Sequence, residues 1–145
     1  MGTQTVSAPI VLDTNIVLDA WVFKDPATVP LLQALADGSL QWVATAPMRD
    51  ELERVLGYPK IVKRLALHQM SATEVLGQFD ARVQTVAVPA KAPVTCKDPD
   101  DQKFIDLAVS HRATVLSKDQ AVLCMAKRLL ALGSIAQAAI KTIVN

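Results

Sequence analysis

The sequence predicts an α/β fold, a three-layer α/β/α sandwich around a mostly parallel central sheet, and three observations lead to it. Short apolar runs that suit buried strands alternate with stretches of helical periodicity, the pattern of repeated strand-helix-strand units. Hydrophobic residues make up 51% of the chain but aromatics only 4%, so the core is to be built from Val, Leu, Ile and Ala, as in many parallel sheets. The 145 residues contain no internal repeat, low-complexity stretch or linker-like segment, which suits one compact domain over residues 1–145.

Taken in order, residues 10–12 form a continuous apolar run ending at Asp13, as expected of a strand buried on both faces with an acid at its carboxyl end. Val29, Leu32, Leu35 and Ala36 then recur at helical spacing, closed by Gly38. Residues 40–44 read as a second strand, and Thr45-Ala46-Pro47 as the opening of a helix whose apolar stripe is Met48, Leu52, Val55 and Leu56. Helical patterns continue over 61–67 and 71–83, where Ser71 and Glu74 have capping-box spacing. Residues 85–88 suit a third strand. Asp98 and Pro99 look like the cap and first residue of a helix reaching about 110. Residues 115–116 make a further strand, a basic helix runs from about 120 to 132 and stops at Gly133, and residues 138–144 suit a last edge strand.

Composition excludes several functions. A net charge of +1 excludes a strongly basic, sequence-independent nucleic-acid binder, and the scarcity of aromatics argues against base-stacking platforms. No window approaches the length of a membrane span, and Met1 to Pro9 lacks a basic region followed by a long apolar run, so a cytoplasmic protein is expected. Cys96 and Cys124 are far apart in sequence and lack zinc-ligand spacing, so both read as free thiols, small apolar filler in a reducing compartment. His68 and His111 lack a partner at ligand spacing. With five glycines and no Ser or Cys triad, neither a phosphate-cradling loop nor nucleophilic hydrolase chemistry is indicated.

The acids carry more information. In open parallel sheets the functional crevice lies beyond the carboxyl ends of the strands, where both Asp13 and Asp119 fall. Taken alone, Asp13 is better explained as a turn or cap residue beside Thr14 and Asn15 than as a catalytic acid. Glu51 lies on the margin of the apolar stripe, next to Met48 and Val55, at about 100° per residue. An inward carboxylate there is costly unless paired, protonated or bound to a cation; a stripe-edge Glu reaching solvent is the plain alternative. Capping and the helix dipole account for Asp98 and Asp100. Asp101 shares a helix face with Ile105 and Ala108, which directs it toward the same crevice as Asp13. Carboxylates gathered so closely repel one another unless a cation neutralises them, and an all-oxygen set favours Mg²⁺ or Mn²⁺.

The segments Val11-Leu12-Asp13-Thr14-Asn15, Glu51-Leu52-Glu53-Arg54-Val55-Leu56, Asp98-Pro99-Asp100-Asp101-Gln102-Lys103-Phe104 and Ser117-Lys118-Asp119 resemble, in this order, the PIN-domain family. The likeness is greatest to its small prokaryotic members found as toxin components of toxin–antitoxin pairs, and it spans nearly the whole chain. It puts the family's acids on Asp13, Glu51, Asp101 and Asp119, with Asp50 and Glu53 as neighbouring alternatives to Glu51 and Asp100 as the alternative to Asp101. The resemblance implies a PIN-like nuclease domain in which these carboxylates hold Mg²⁺ or Mn²⁺ and water hydrolyses phosphodiester bonds of single-stranded RNA. It further implies an antitoxin partner in a type II pair, and a homodimer. Asn15 and Ser117 are cast as hydrogen-bonding residues that orient the acids, local turn chemistry being an alternative.

Positive charge to meet RNA is available in two groups, Lys60 with Lys63 and Arg64, and Lys127 with Arg128, although a solvated helix face is the better explanation of each and RNA contact the minority one. Trp21 and Trp42 are expected in the core. Rival readings are an aspartyl-nucleophile phosphatase, which wants a second carboxyl where this sequence has Asn15, and a phospho-receiver domain, which groups its acids differently. A PIN-like interaction module with little activity, binding an antitoxin or a copy of itself, is the alternative from another functional class.

Overall fold

The structure is a computed structural model that describes residues 7–140. Its centre is a five-stranded sheet in the order β3-β2-β1-β4-β5, formed by β1 (Ala8–Leu12), β2 (Leu40–Ala44), β3 (Gln84–Thr85), β4 (Thr114–Leu116) and β5 (Ile135–Gln137). Every adjacent pair is parallel; Ile10 sits opposite Trp42 on one side and Thr114 on the other, and Leu12 opposite Leu116. Ile10, Val11 and Leu12 are all buried, so both faces of the central strand are covered, as its unbroken apolar run requires.

Among the described residues eight α-helices flank the sheet: α1 (Thr14–Trp21), α2 (Val29–Ala36), α3 (Ala46–Leu56), α4 (Pro59–Leu67), α5 (Ala72–Arg82), α6 (Gln102–His111), α7 (Gln120–Leu123) and α8 (Ala126–Ala131). Pro47 and Pro59 open α3 and α4, where a missing N–H costs nothing, and Ser71 caps α5 by accepting from the Glu74 amide at 3.2 Å. Trp21 stacks on Trp42 at 5.1 Å and Phe79 meets Trp42 edge-on at 5.0 Å, all three within the core. Among the described residues no helix is long and apolar enough to cross a membrane.

Four elements differ from the sequence-based expectation. Helix α1 was hidden by the turn-like Asp13-Thr14-Asn15, yet Ile16, Val17, Ala20 and Trp21 give it a buried stripe. Strand β3 lies at Gln84–Thr85 and not at 85–88: the Val86 amide still bonds to Ala44, but β2 ends there and leaves no further partner. The expected helix over 120–132 breaks at Cys124 and Met125, where a tight turn sinks Met125 fully into the core. The last strand is Ile135–Gln137, directly after Gly133 ends α8 at φ +88; of the expected 138–144, residues 138–140 are not strand and 141–144 lie outside the described residues.

From β1 the chain steps outward through β2 to β3, then returns to the other side of β1 as β4. The sheet order therefore reverses between β1 and β4. The crevice beyond the carboxyl ends of those two strands is the place where such folds put their ligands.

Candidate metal centre

Asp13 emerges from β1 directly into that crevice. It caps α1, with the Asn15 amide donating to Oδ1 at 2.9 Å, and is almost completely buried. Ser117, at the end of β4, donates its hydroxyl to Asp13 Oδ2 at 2.6 Å. The same Ser117 Oγ accepts the Asp119 amide at 3.0 Å, and Asp119 Oδ1 caps α7 through the Ala121 amide at 2.9 Å. One buried hydroxyl thus sets two acids on adjacent strand ends. Burial pushes the Asp13 carboxyl above its ordinary range, Ser117 and the Asn15 amide pull it back, and the charges of Asp119 and Glu51 push it up again. Asn15 contributes its backbone N–H; its side chain is exposed.

Asp101 reaches the crevice from the 3₁₀ turn Pro99–Asp101 that precedes α6. It is buried while Asp100 is exposed, and its Oδ2 has no hydrogen-bond partner among the described residues. One carboxylate oxygen from each of Asp98, Asp101 and Asp119 lies within 4.8 Å of the others. Burial, a hydrogen bond with Asp119 and the charges of Asp13, Asp119 and Asp98 push Asp101 up to about 7. Asp119 is held low by the Ala121 amide and by Asp101. Without a cation the two acids are set to share a proton. A buried oxygen with no donor, inside an all-oxygen group of acids, fits a hard divalent cation such as Mg²⁺ or Mn²⁺.

Glu51 stands beside this group. It is the half-buried acid of α3, with Asp50 and Glu53 both exposed. Thr14 Oγ1 donates to Glu51 Oε2 at 2.6 Å, and Lys103 Nζ bonds Oε1 at 3.1 Å while also donating to the Asp100 carbonyl. Glu51 is close enough to raise Asp13 but is not within the group of three.

Three contributors were not singled out by sequence reasoning. Asp98 does cap the turn, accepting the Asp100 amide at 2.9 Å, and this accounted for it fully; its alignment with Asp101 follows from the three-residue repeat of a 3₁₀ turn. Thr14 and Lys103 reach Glu51 across 37 and 52 residues of sequence, contacts that no local pattern announces.

Outside the crevice, His68 and His111 are exposed, as are Lys127 and Arg128. Lys60, Lys63 and Arg64 line one depression with Phe23 and Leu67. Arg64 lies over the Phe23 ring at 5.3 Å, and none of the three cations pairs with a carboxylate among the described residues.

A family model described as the PIN domain matches residues 9–121, well over half of the chain. No curated protein matches the sequence significantly. Among solved structures, a chain from the crystal structure of VapBC2 from Rickettsia felis, bound to a DNA fragment from their promoter, superposes with a TM-score of 0.60. The two share 16% identity over 88% of this chain and 98% of that one, a likeness that shows the fold alone.

Proposed function

The chain belongs to the PIN-domain family, and from that premise we propose that it is an endoribonuclease that hydrolyses phosphodiester bonds of single-stranded RNA at the crevice beyond β1 and β4. The observation that carries this reading is the buried, partnerless oxygen of Asp101 inside a group of acids whose charges repel without a cation. Asp101 and Asp119 would hold Mg²⁺ or Mn²⁺ together with Asp98, the third acid of the group, and Asp13, whose charge acts on Asp101, with Glu51 at the margin. A divalent ion there supplies Lewis acidity, hydroxide near neutral pH and neutralisation of the leaving oxygen.

The remaining work belongs to the chain's own residues. Ser117 and the Asn15 amide fix the rotamer of Asp13, so its charge faces the crevice at no further ordering cost. The Ala121 amide does the same for Asp119. Thr14 and Lys103 hold both oxygens of Glu51 and so fix the position of that carboxylate beside the group of acids, where it can take a proton from attacking water. Lys103 also puts a positive charge near the acids, where a phosphodiester would otherwise meet only repulsion.

The family resemblance implies a toxin role with an antitoxin partner and self-association as a dimer. Fold likeness to a chain of the VapBC2 structure supports a partnered chain, and we extend both roles to this protein on that basis. Incubating the purified chain with a varied pool of single-stranded RNA tests the activity. Cleavage is expected with Mg²⁺ or Mn²⁺ and none in chelator, with the fold retained in both. A folded, inhibitor-free sample that leaves the pool intact with either ion would overturn the reading.

A further inference from the structure

Cys96 and Cys124 are remote in sequence, but the fold brings both to one atom. The Cys96 thiol, buried in the segment before the Pro99–Asp101 turn, donates to the Ala121 carbonyl at 3.3 Å. The Cys124 thiol, exposed at the end of α7, donates to the same carbonyl at 3.5 Å. Their sulfurs are therefore within about 7 Å before any side-chain rotation, against about 2 Å in a formed bond. The residue between them matters as well: the amide of Ala121 is the donor that holds Asp119 Oδ1, and Cys96 lies two positions before Asp98.

We propose that Cys96 and Cys124 form an oxidisable dithiol, closed by hydrogen peroxide into an intramolecular disulfide that disturbs the Ala121 link to Asp119. The exposed Cys124 reacts first: its sulfur attacks the peroxide O–O bond, giving a sulfenic acid and one water. The Cys96 sulfur then displaces hydroxide from that sulfenic acid, which leaves as a second water with the Cys96 proton. Two thiols are oxidised by two electrons and one peroxide is reduced to two waters. Closing the bond requires both sulfurs to leave the Ala121 carbonyl, and the short α7 helix, four residues long, offers little to resist the shift. The bond itself stands apart from the nuclease reading; only its consequence for cleavage rests on that reading.

The full chain is treated with a small excess of peroxide, alkylated and weighed, with and without a reducing agent. The expected product is a monomer lacking two hydrogens, with both thiols protected from alkylation, restored by reduction. Cys124→Ser is to abolish it; because Cys96 is buried, Cys96→Ala serves as a second control and is to yield only the sulfenic acid or its over-oxidised products at Cys124. In the oxidised monomer the Ala121 amide is to exchange with solvent at least several-fold faster than in the reduced one, a readout that needs neither metal nor RNA. Both thiols remaining alkylatable, or only intermolecular dimers forming, would overturn the pairing. Unchanged Ala121 exchange in a proven disulfide would overturn the coupling to Asp119.

Discussion

Ser117 illustrates how much of the site rests on one small side chain. It is fully buried, donates to Asp13 and accepts from Asp119, so Ser117→Ala removes the side-chain donor from a buried carboxylate and the acceptor from a neighbouring amide. The expected cost near neutral pH is about 1–3 kcal/mol, measured by denaturant unfolding. Because the stranded group is the Asp13 carboxylate, the cost is to shrink as the solution is acidified and Asp13 takes a proton. Asp101 gives a second pH signature. Its folded value is raised from 3.8 to about 7, so between those values the metal-free native state keeps a proton that the unfolded chain has released. The sign is then fixed: this group makes the native state progressively less stable as pH rises through that window, with no further loss above it. Melts of wild type and Asp101→Asn across the window are to converge at low pH and separate as pH rises, the mutant becoming relatively more stable. Parallel curves would mean that Asp101 is not the group holding the proton.

At the scale of elements, the strands and helices that carry the acids were legible because each depends on local pattern. The apolar run ending at Asp13, the Met48-Leu52-Val55 stripe that leaves Glu51 on its margin, and the face shared by Asp101, Ile105 and Ala108 all follow from period and burial. What stayed hidden depends on pairing between remote segments. Strand β3 stops where β2 stops, β5 starts where Thr114 meets Ile135, and Lys103 finds Glu51 only through packing of α6 near α3. Asp98 was hidden for another reason, since a cap explains the residue fully until the 3₁₀ turn lines it up with Asp101. Helix α4 makes its own prediction. Lys60, Lys63 and Arg64 share one face of it with no acidic partner among the described residues, so under the proposed function they would meet RNA phosphates. Neutralising all three is to weaken RNA binding and flatten the slope of log affinity against log salt by up to about 2, with metal binding unchanged. An unaltered slope would remove α4 from the RNA surface.

For the whole molecule, the sheet order decides the location of the chemistry and the charge balance decides how it is approached. Reversal between β1 and β4 opens a crevice into which Asp13 and Asp119 project from strand ends and Asp101 from the turn before α6. With a net charge of +1 the chain has no general attraction for nucleic acid, so under the proposed function a cation in that crevice and local patches such as α4 would have to supply it. Binding of a divalent ion by these carboxylates is tested by four thermal melts: wild type and Asp101→Asn, each in chelator and in saturating Mn²⁺, at a pH above 7. In chelator the mutant is expected to melt at or above the wild-type temperature, because one repelling charge is gone. Mn²⁺ is expected to raise the wild-type melting temperature by more than that of the mutant, because stabilisation by a ligand follows its affinity for the folded state. A mutant that is less stable than wild type in chelator and gains as much from Mn²⁺ would contradict it, leaving Asp101 as a helix-start acid and nothing more.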